Sequence, residues 1–215
     1  MFPCFGATEQ ELRSSLPGDD IVASPVLETT HGITIDAPPD QVWPWLVQIG
    51  QGRAGFYSDS AWWDACVDLY YRWLARETHG PPVRYRRAGD HIAAEWQALN
   101  AGDAILDGPP GTASYIVRKI DPRRCLVLFT DTHLPFLLPA PLRHTVSGEL
   151  SDAFVLAPVG GGKTRLIRRM RVTCAPMPFR IVALPVVLIW GELITARNFL
   201  RGLKRRAEVS ARTAG

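Results

Sequence analysis

"GITIDAPPDQVWPWLVQIGQGRAGFYS", residues 32–58, is the stretch whose reading decides the fold. It opens with Ile33 and Ile35 alternating against Thr34 and Asp36, the period of a half-buried strand within an extended stretch at 20–37. "APPDQVWPWLVQIG" then reads as a helix. Pro39 suits the first helical position, and Val42, Trp45, Leu46 and Ile49 form an apolar stripe. Pro44 removes a backbone donor and is expected to kink or shorten this helix. "GQGRAGFYSDS" is a loop by its glycines, and it places aromatic mass beside flexible backbone.

Working outward, a second helix is expected over roughly 60–76. There Trp62, Ala65, Cys66, Leu69, Tyr70 and Trp73 share one face. Residues 77–95 are rich in Gly, Pro and Arg and read as a long loop, a length often found in functional lids. Strands dominate from 96. "GDAILDGP", "TASYIVRKIDP" and "RCLVLFTDTH" are candidates, and strands at about 149–158 and 164–173 form a hairpin across "VGGGKT". Helix returns at the C-terminus, where Ile189, Leu193, Ala196, Leu200, Leu203 and Ala207 make a sustained seam. A helix from Pro185 to Glu208 would be roughly 36 Å long. A strand, two helices, a run of antiparallel strands and one long helix make an α+β architecture.

The chain has 215 residues, 47% hydrophobic and 21% charged, which fits one globular domain. The expected organisation is an irregular lead-in at 1–19 and a single domain at 20–210. A net charge of +3 does not mark the whole chain as a nucleic-acid binder, because the positive excess is local, in "RLIRRMR" and "RNFLRGLKRRAE". Cys4, Cys66, Cys125 and Cys174 show no metal-ligand spacing and fit a reducing compartment. The first residues lack the pattern of a signal peptide, and the apolar run "IVALPVVLIW" is too short to span a bilayer. A cytoplasmic protein is the expectation.

The phrases "ITIDAPPDQVWPWLVQIGQGRAGFYS", "EWQALNAGD", "TRLIRRMR" and "LRGLKRRAE" give the chain, from about Pro17 to about Glu208, a resemblance to the START-like helix-grip superfamily. That superfamily includes the birch-pollen-allergen and polyketide cyclase/dehydrase types, and the match is to a bacterial branch. The resemblance implies a curved antiparallel sheet wrapped around a long C-terminal helix, with two short helices and an internal cavity. It implies a hydrophobic ligand of the lipid, polyketide or isoprenoid class. Alternatively, it implies a cofactor-independent cyclase or dehydratase. In this fold the aromatic residues would line or close the cavity, and the glycine loop would be its hinge or rim. A shared fold does not choose among these activities.

The candidate residues each carry a structural alternative. "VGGGKT" lacks the spacing of a phosphate loop and reads as a turn. His31, His79, His91, His133 and His144 show no metal-ligand spacing, so neither a metal nor another cofactor is expected. His91 lies four residues before Glu95; on a helix the two would share a face and could act as acid and base, or they could be a solvated pair. Arg168, between Leu166 and Met170, is a candidate inward-facing charge that needs a partner such as Asp131, Glu149 or Asp152. Arg118 poses the same question between Ile116 and Ile120. Arg53 and Tyr57 could meet the polar end of a ligand or hold their loop shut. Trp62, Trp96 and Trp190 are the aromatic candidates for ligand contact. Arg197, Arg201, Lys204, Arg205 and Arg206 could touch an anionic membrane or nucleic acid, or simply complement the end of a helix.

Overall fold

The protein is described from a computed structural model, covering residues 4–80, 85, 89–186 and 194–214. Six strands form one antiparallel sheet among these residues: β1 (Leu27–Ile35), β2 (Ala104–Leu106), β3 (Ser114–Asp121), β4 (Cys125–Thr130), β5 (Leu150–Val159) and β6 (Lys163–Val172). Their spatial order is β1-β6-β5-β4-β3-β2. The glycines of "VGGGKT" close the β5–β6 hairpin, with Gly161 and Gly162 at positive φ and Val159 paired with Lys163. Helices α1 (Glu9–Arg13), α2 (Pro39–Val47), α3 (Ala61–Glu77), α4 (Met177–Val186) and α5 (Arg197–Ala214) complete the elements. The fold is α+β, a curved sheet holding a C-terminal helix in the helix-grip manner.

Strand alternation gives the sheet two faces. Ile35, Leu166, Leu156, Leu126, Leu128 and Val117 belong to the buried cluster that also contains Phe199, Leu200, Leu203 and Ala207 of α5. The other face is covered by the N-terminal residues. Arg165 binds Glu11, Arg169 binds Asp19, and Gly18 lies so close to Val127 that an added Cβ would sit 2.5 Å from its Cγ1. The lead-in read as irregular therefore contains a short helix, α1, with a reciprocal Thr8–Glu11 capping box, and it acts as an outer layer.

Pro39 occupies the first turn of α2, Pro44 lies inside it, and Val42, Trp45 and Leu46 are buried. Three expectations need correction. In α3 the buried side chains are Trp63, Tyr71, Leu74 and Ala75, whereas Trp62 and Leu69 are exposed. Aromatic residues lie on both sides of this helix, so periodicity alone pointed to the wrong one. A β-bulge between Val117 and Lys119 breaks the alternation of β3. Ile116 and Ile120 thus fall on opposite faces, and Arg118 is exposed, its guanidinium 4.6 Å from the Phe129 ring centroid. At the C-terminus, helix already begins at Met177, and α5 runs past Glu208 to Ala214. Ala196, Leu200, Leu203 and Ala207 are buried as the seam requires, while Ile189, Trp190 and Leu193 lie outside the described residues.

Candidate functional site

The glycine loop is organised by Gln48, a residue the sequence reading did not single out. Its side chain is fully buried; Nε2 donates to Tyr57 Oη (3.0 Å) and to the His91 carbonyl (3.1 Å). Its Oε1 accepts from the Ala93 N–H and from Gln97 Nε2, both at 3.2 Å. Tyr57 donates to the Trp45 carbonyl (2.7 Å), and its ring stacks on Phe199 at 6.0 Å. Burial is the main reason the phenol is held far above its ordinary pKa. Arg53 Nη2 bridges the carbonyls of Val47 (2.9 Å) and Trp96 (2.6 Å). Gly202 of α5 sits against the Tyr57 backbone, where an added Cβ would lie 3.0 Å from three atoms. Arg53, Tyr57 and Trp96 are thus brought together as the clasp that seats α5, and their polar groups bond mainly to backbone.

On the inner face of the sheet the polar groups are few and buried. Arg168 grips Asp152 with both Nε (2.8 Å) and Nη2 (2.7 Å), and the two side chains are 9% and 5% exposed. Of the three acids considered for Arg168, the structure selects Asp152, its diagonal neighbour on β5. Cross-strand pairing places His31 and Phe154 on either side of Arg168. His31 and Thr29 are themselves buried, and His31 Nδ1 accepts the Phe5 N–H (3.0 Å).

A second polar group begins one diagonal step away, at Thr130 on β4, about 7–8 Å from Asp152 by strand geometry. Thr130 Oγ1 lies 2.8 Å from His133 Nδ1, and His133 Nε2 lies 3.0 Å from Asp107 Oδ2. Tyr71 donates to Asp107 Oδ1 (3.1 Å), and the Tyr115 ring lies 4.3 Å from the imidazole. An ionised carboxylate can only accept, so against Asp107 it is Nε2 that donates, and in a neutral imidazole Nδ1 is then the acceptor facing Thr130 Oγ1. Burial first, then the charge of Asp107, pushes the Tyr71 phenol well above its ordinary range, so it remains a neutral donor. The imidazole and carboxylate keep partial contact with solvent. The sequence reading missed this group because its members end separate strands or lie on α3. Only the β2–β3–β4 pairing draws Asp107 and His133 together. The visible signal was a polar residue ending each apolar run, in "AILD" and "LFTDTH".

The remaining candidates lie elsewhere. His91 and Glu95 are exposed, and the 3-10 turn at Ala94–Trp96 excludes His91, so the helical spacing that would pair them does not apply. Trp62 is 59% exposed on the outward side of α3, and Trp190 is outside the described residues. Two hollows among the described residues are open to the surface. One, about 300 Å³, lies between Asp90–Ile92 and the end of α5, and Trp45 lines it. The other, about 460 Å³, lies beside Asp131, Glu149 and Arg180. The internal cavity implied by the resemblance is neither of these. Five cations of α5 are engaged within the chain: Arg205 and Arg206 with Asp59 and Asp90, Lys204 with Glu208, and Arg197 and Arg201 over Phe5.

No family model matches the chain, and no curated protein matches it. Solved structures do. A conserved protein from Geobacillus kaustophilus is 12% identical over 86% of this chain and 97% of its own, with a TM-score of 0.44. A hypothetical protein from Helicobacter pylori is 12% identical over 90% and 95%, with a TM-score of 0.49. DynU16, from the dynemicin biosynthetic locus, is 15% identical over 86% of this chain and 48% of its own, with a TM-score of 0.41. At such identities the likeness is one of shape and says nothing of chemistry. Among the described residues no helix is long and apolar enough to cross a membrane. No group of three or more His, Cys, Asp and Glu side chains among them is placed to hold a metal ion.

Proposed function

We propose that this protein binds a hydrophobic small molecule of the lipid, polyketide or isoprenoid class between the inner face of its sheet and its C-terminal helix. The observation that carries the reading is the buried Arg168–Asp152 pair, flanked by His31 and Phe154 on the inner face of the sheet. A buried ion pair is a poor source of net stability, because desolvation offsets most of the attraction. A ligand with one polar end gives such a pair a use: the apolar body supplies affinity by burial and the polar end fixes orientation. Native mass spectrometry of the purified protein, followed by solvent extraction, tests this. A co-purifying hydrophobic compound, lost from the Arg168→Met/Asp152→Leu variant, is expected. An empty protein whose melting temperature does not respond to fatty acids, aromatic polyketides or isoprenols overturns the reading.

A second reading, a cofactor-independent cyclase or dehydratase, is favoured by one observation: His133 held between Asp107 and Thr130. Asp107 fixes the tautomer and stabilises an imidazolium, which leaves Nδ1 to take a proton once Thr130 turns away. Loss of turnover of a polyketide-like substrate in His133→Gln, with retained ligand uptake, would separate this reading from simple binding.

A further inference from the structure

We infer that residues 4–14 are a latch, which closes the gap between the edge strand β1 and the start of α5 and opens, with the sheet still folded, to admit the ligand. This rests on the binding proposed above for the space behind it.

The segment crosses the edge of the sheet. At its inner end the Phe5 ring centroid lies 5.3 and 5.6 Å from the guanidinium carbons of Arg197 and Arg201, in the first turns of α5. Its backbone is stitched to β1. The Phe5 carbonyl accepts the Gly32 N–H (2.8 Å), and the Phe5 N–H donates to His31 Nδ1 (3.0 Å). Further along, α5 bonds β1 and the residue after it directly: Lys204 Nζ donates to the Thr34 carbonyl, and Glu208 Oε1 accepts the Asp36 N–H. Near Arg197 it is Phe5 that fills the place between helix and strand. The chain then steps over the edge where two glycines meet. A Cβ on Gly6 would strike the Gly32 carbonyl, and a Cβ on Gly32 would strike the Arg165 guanidinium. Beyond the crossing, Glu11 lies on the outer face in the fork of Arg165, at 2.7 and 2.8 Å.

Behind the latch stands the polar group of the interior. His31 pairs across the strands with Arg168, whose partner is Asp152. The latch itself is weakly anchored. No residue from 4 to 14 is buried, and α1 buries none of its side chains. Its bonds to the outer face run through two guanidinium groups. Arg165 also takes the Gly6 carbonyl, and Arg169 takes the carbonyls of Glu11, Leu12 and Ser14. Water can replace such bonds when the segment lifts. By contrast β1 is held by β6 from Leu27 to Ile35, and Gly18 and Val22, both buried, fix the root of the segment. An element with little buried apolar surface opens at a free energy well below that of the whole domain.

The test is amide hydrogen exchange of the full chain, read by NMR, together with ligand uptake. The Gly32 N–H points away from β6 to Phe5, whereas strand alternation sends the His31 and Ile33 amides into β6. In wild type Gly32 is expected to be protected at least about tenfold less than those two, and Glu11→Gln should lower its protection about tenfold more while theirs is unchanged. Uptake of cis-parinaric acid, a fluorescent fatty acid, is followed by stopped flow. Glu11→Gln and Phe5→Ala should raise its association and dissociation rates together by about tenfold and leave the affinity within about twofold, because a gate sets the rate of passage and not the stability of the bound state. Unchanged protection of His31 and Ile33 verifies folding of both variants. Equal protection of Gly32 and its neighbours in wild type overturns the latch. So do wild-type uptake rates in both variants while Gly32 exchange rises, and so does a rise in dissociation alone, which would make Phe5 a ligand contact. Absence of uptake in wild type and in both variants overturns the binding reading itself, and the gating role with it, whatever Gly32 shows.

Discussion

Arg168 and Asp152 offer the sharpest test of why the interior carries charge. The pair has two hydrogen bonds at 2.7–2.8 Å, and both side chains are more than nine-tenths buried. Replacing one partner, in Arg168→Met or Asp152→Leu, leaves the other charge in a desolvated setting, at a cost of about 3 kcal/mol. Replacing both by apolar residues of similar size removes the charges and the desolvation penalty together. The double variant should therefore lie within about 1 kcal/mol of wild type, or above it. Urea unfolding followed by tryptophan fluorescence reads this directly, since the chain has seven tryptophans. The coupling free energy from the cycle should then be several kcal/mol. Single variants that cost under about 1 kcal/mol would refute the claim that the pair is desolvated. Additive losses in the double variant would show that the pair is needed for stability. That would remove the main support for a ligand-orienting role.

Further outcomes follow from other contacts. Hydrogen bonding from Arg165, more than any other influence, pulls the Glu11 carboxyl from its ordinary 4.5 down to about 2. Because the folded value is the lower, this stabilisation is complete above pH 4.5 and is lost as pH falls towards 2. It amounts to about 2 kcal/mol after screening of a partly exposed pair. Glu11→Gln should flatten the acid side of the stability–pH profile and expose residues 4–25 to proteolysis at neutral pH; an unchanged profile would show that the N-terminal layer is not held this way. Gly202→Ala gains about 1 kcal/mol of helix propensity but meets Tyr57 at 3.0 Å, so a net loss of about 1 kcal/mol is expected. A raised melting temperature would contradict the close packing of α5 on the loop. Tyr57→Phe should cost about 1–2 kcal/mol through the Trp45 and Gln48 hydrogen bonds and leave ligand uptake intact, whereas a direct ligand contact would show as lost uptake with little change in stability.

The fold was largely legible because its signals are local. Ile33 and Ile35, Pro39, the β5–β6 glycines and the seam of α5 each report a backbone preference or a burial period within a few residues. Legibility failed where two local readings were equally good. The aromatics of α3 fit either face, and only packing beside Asp107 and Tyr85 turned Tyr71 inward. It failed again at Arg118, where one bulged residue reversed the face of everything after it.

By itself, the sequence determined the order of elements, the hairpin and the apolar side of the C-terminal helix, since periodicity and turn chemistry act over a few residues. Only the tertiary structure decided which charges meet. Arg168 had three acids to choose from, and strand register gave it Asp152. His133 and Asp107 are 26 residues apart, and the sheet brought them within 3.0 Å. Side-chain chemistry at that separation depends on register and curvature, which arise when the whole sheet closes around α5 and are carried by no short stretch of the chain.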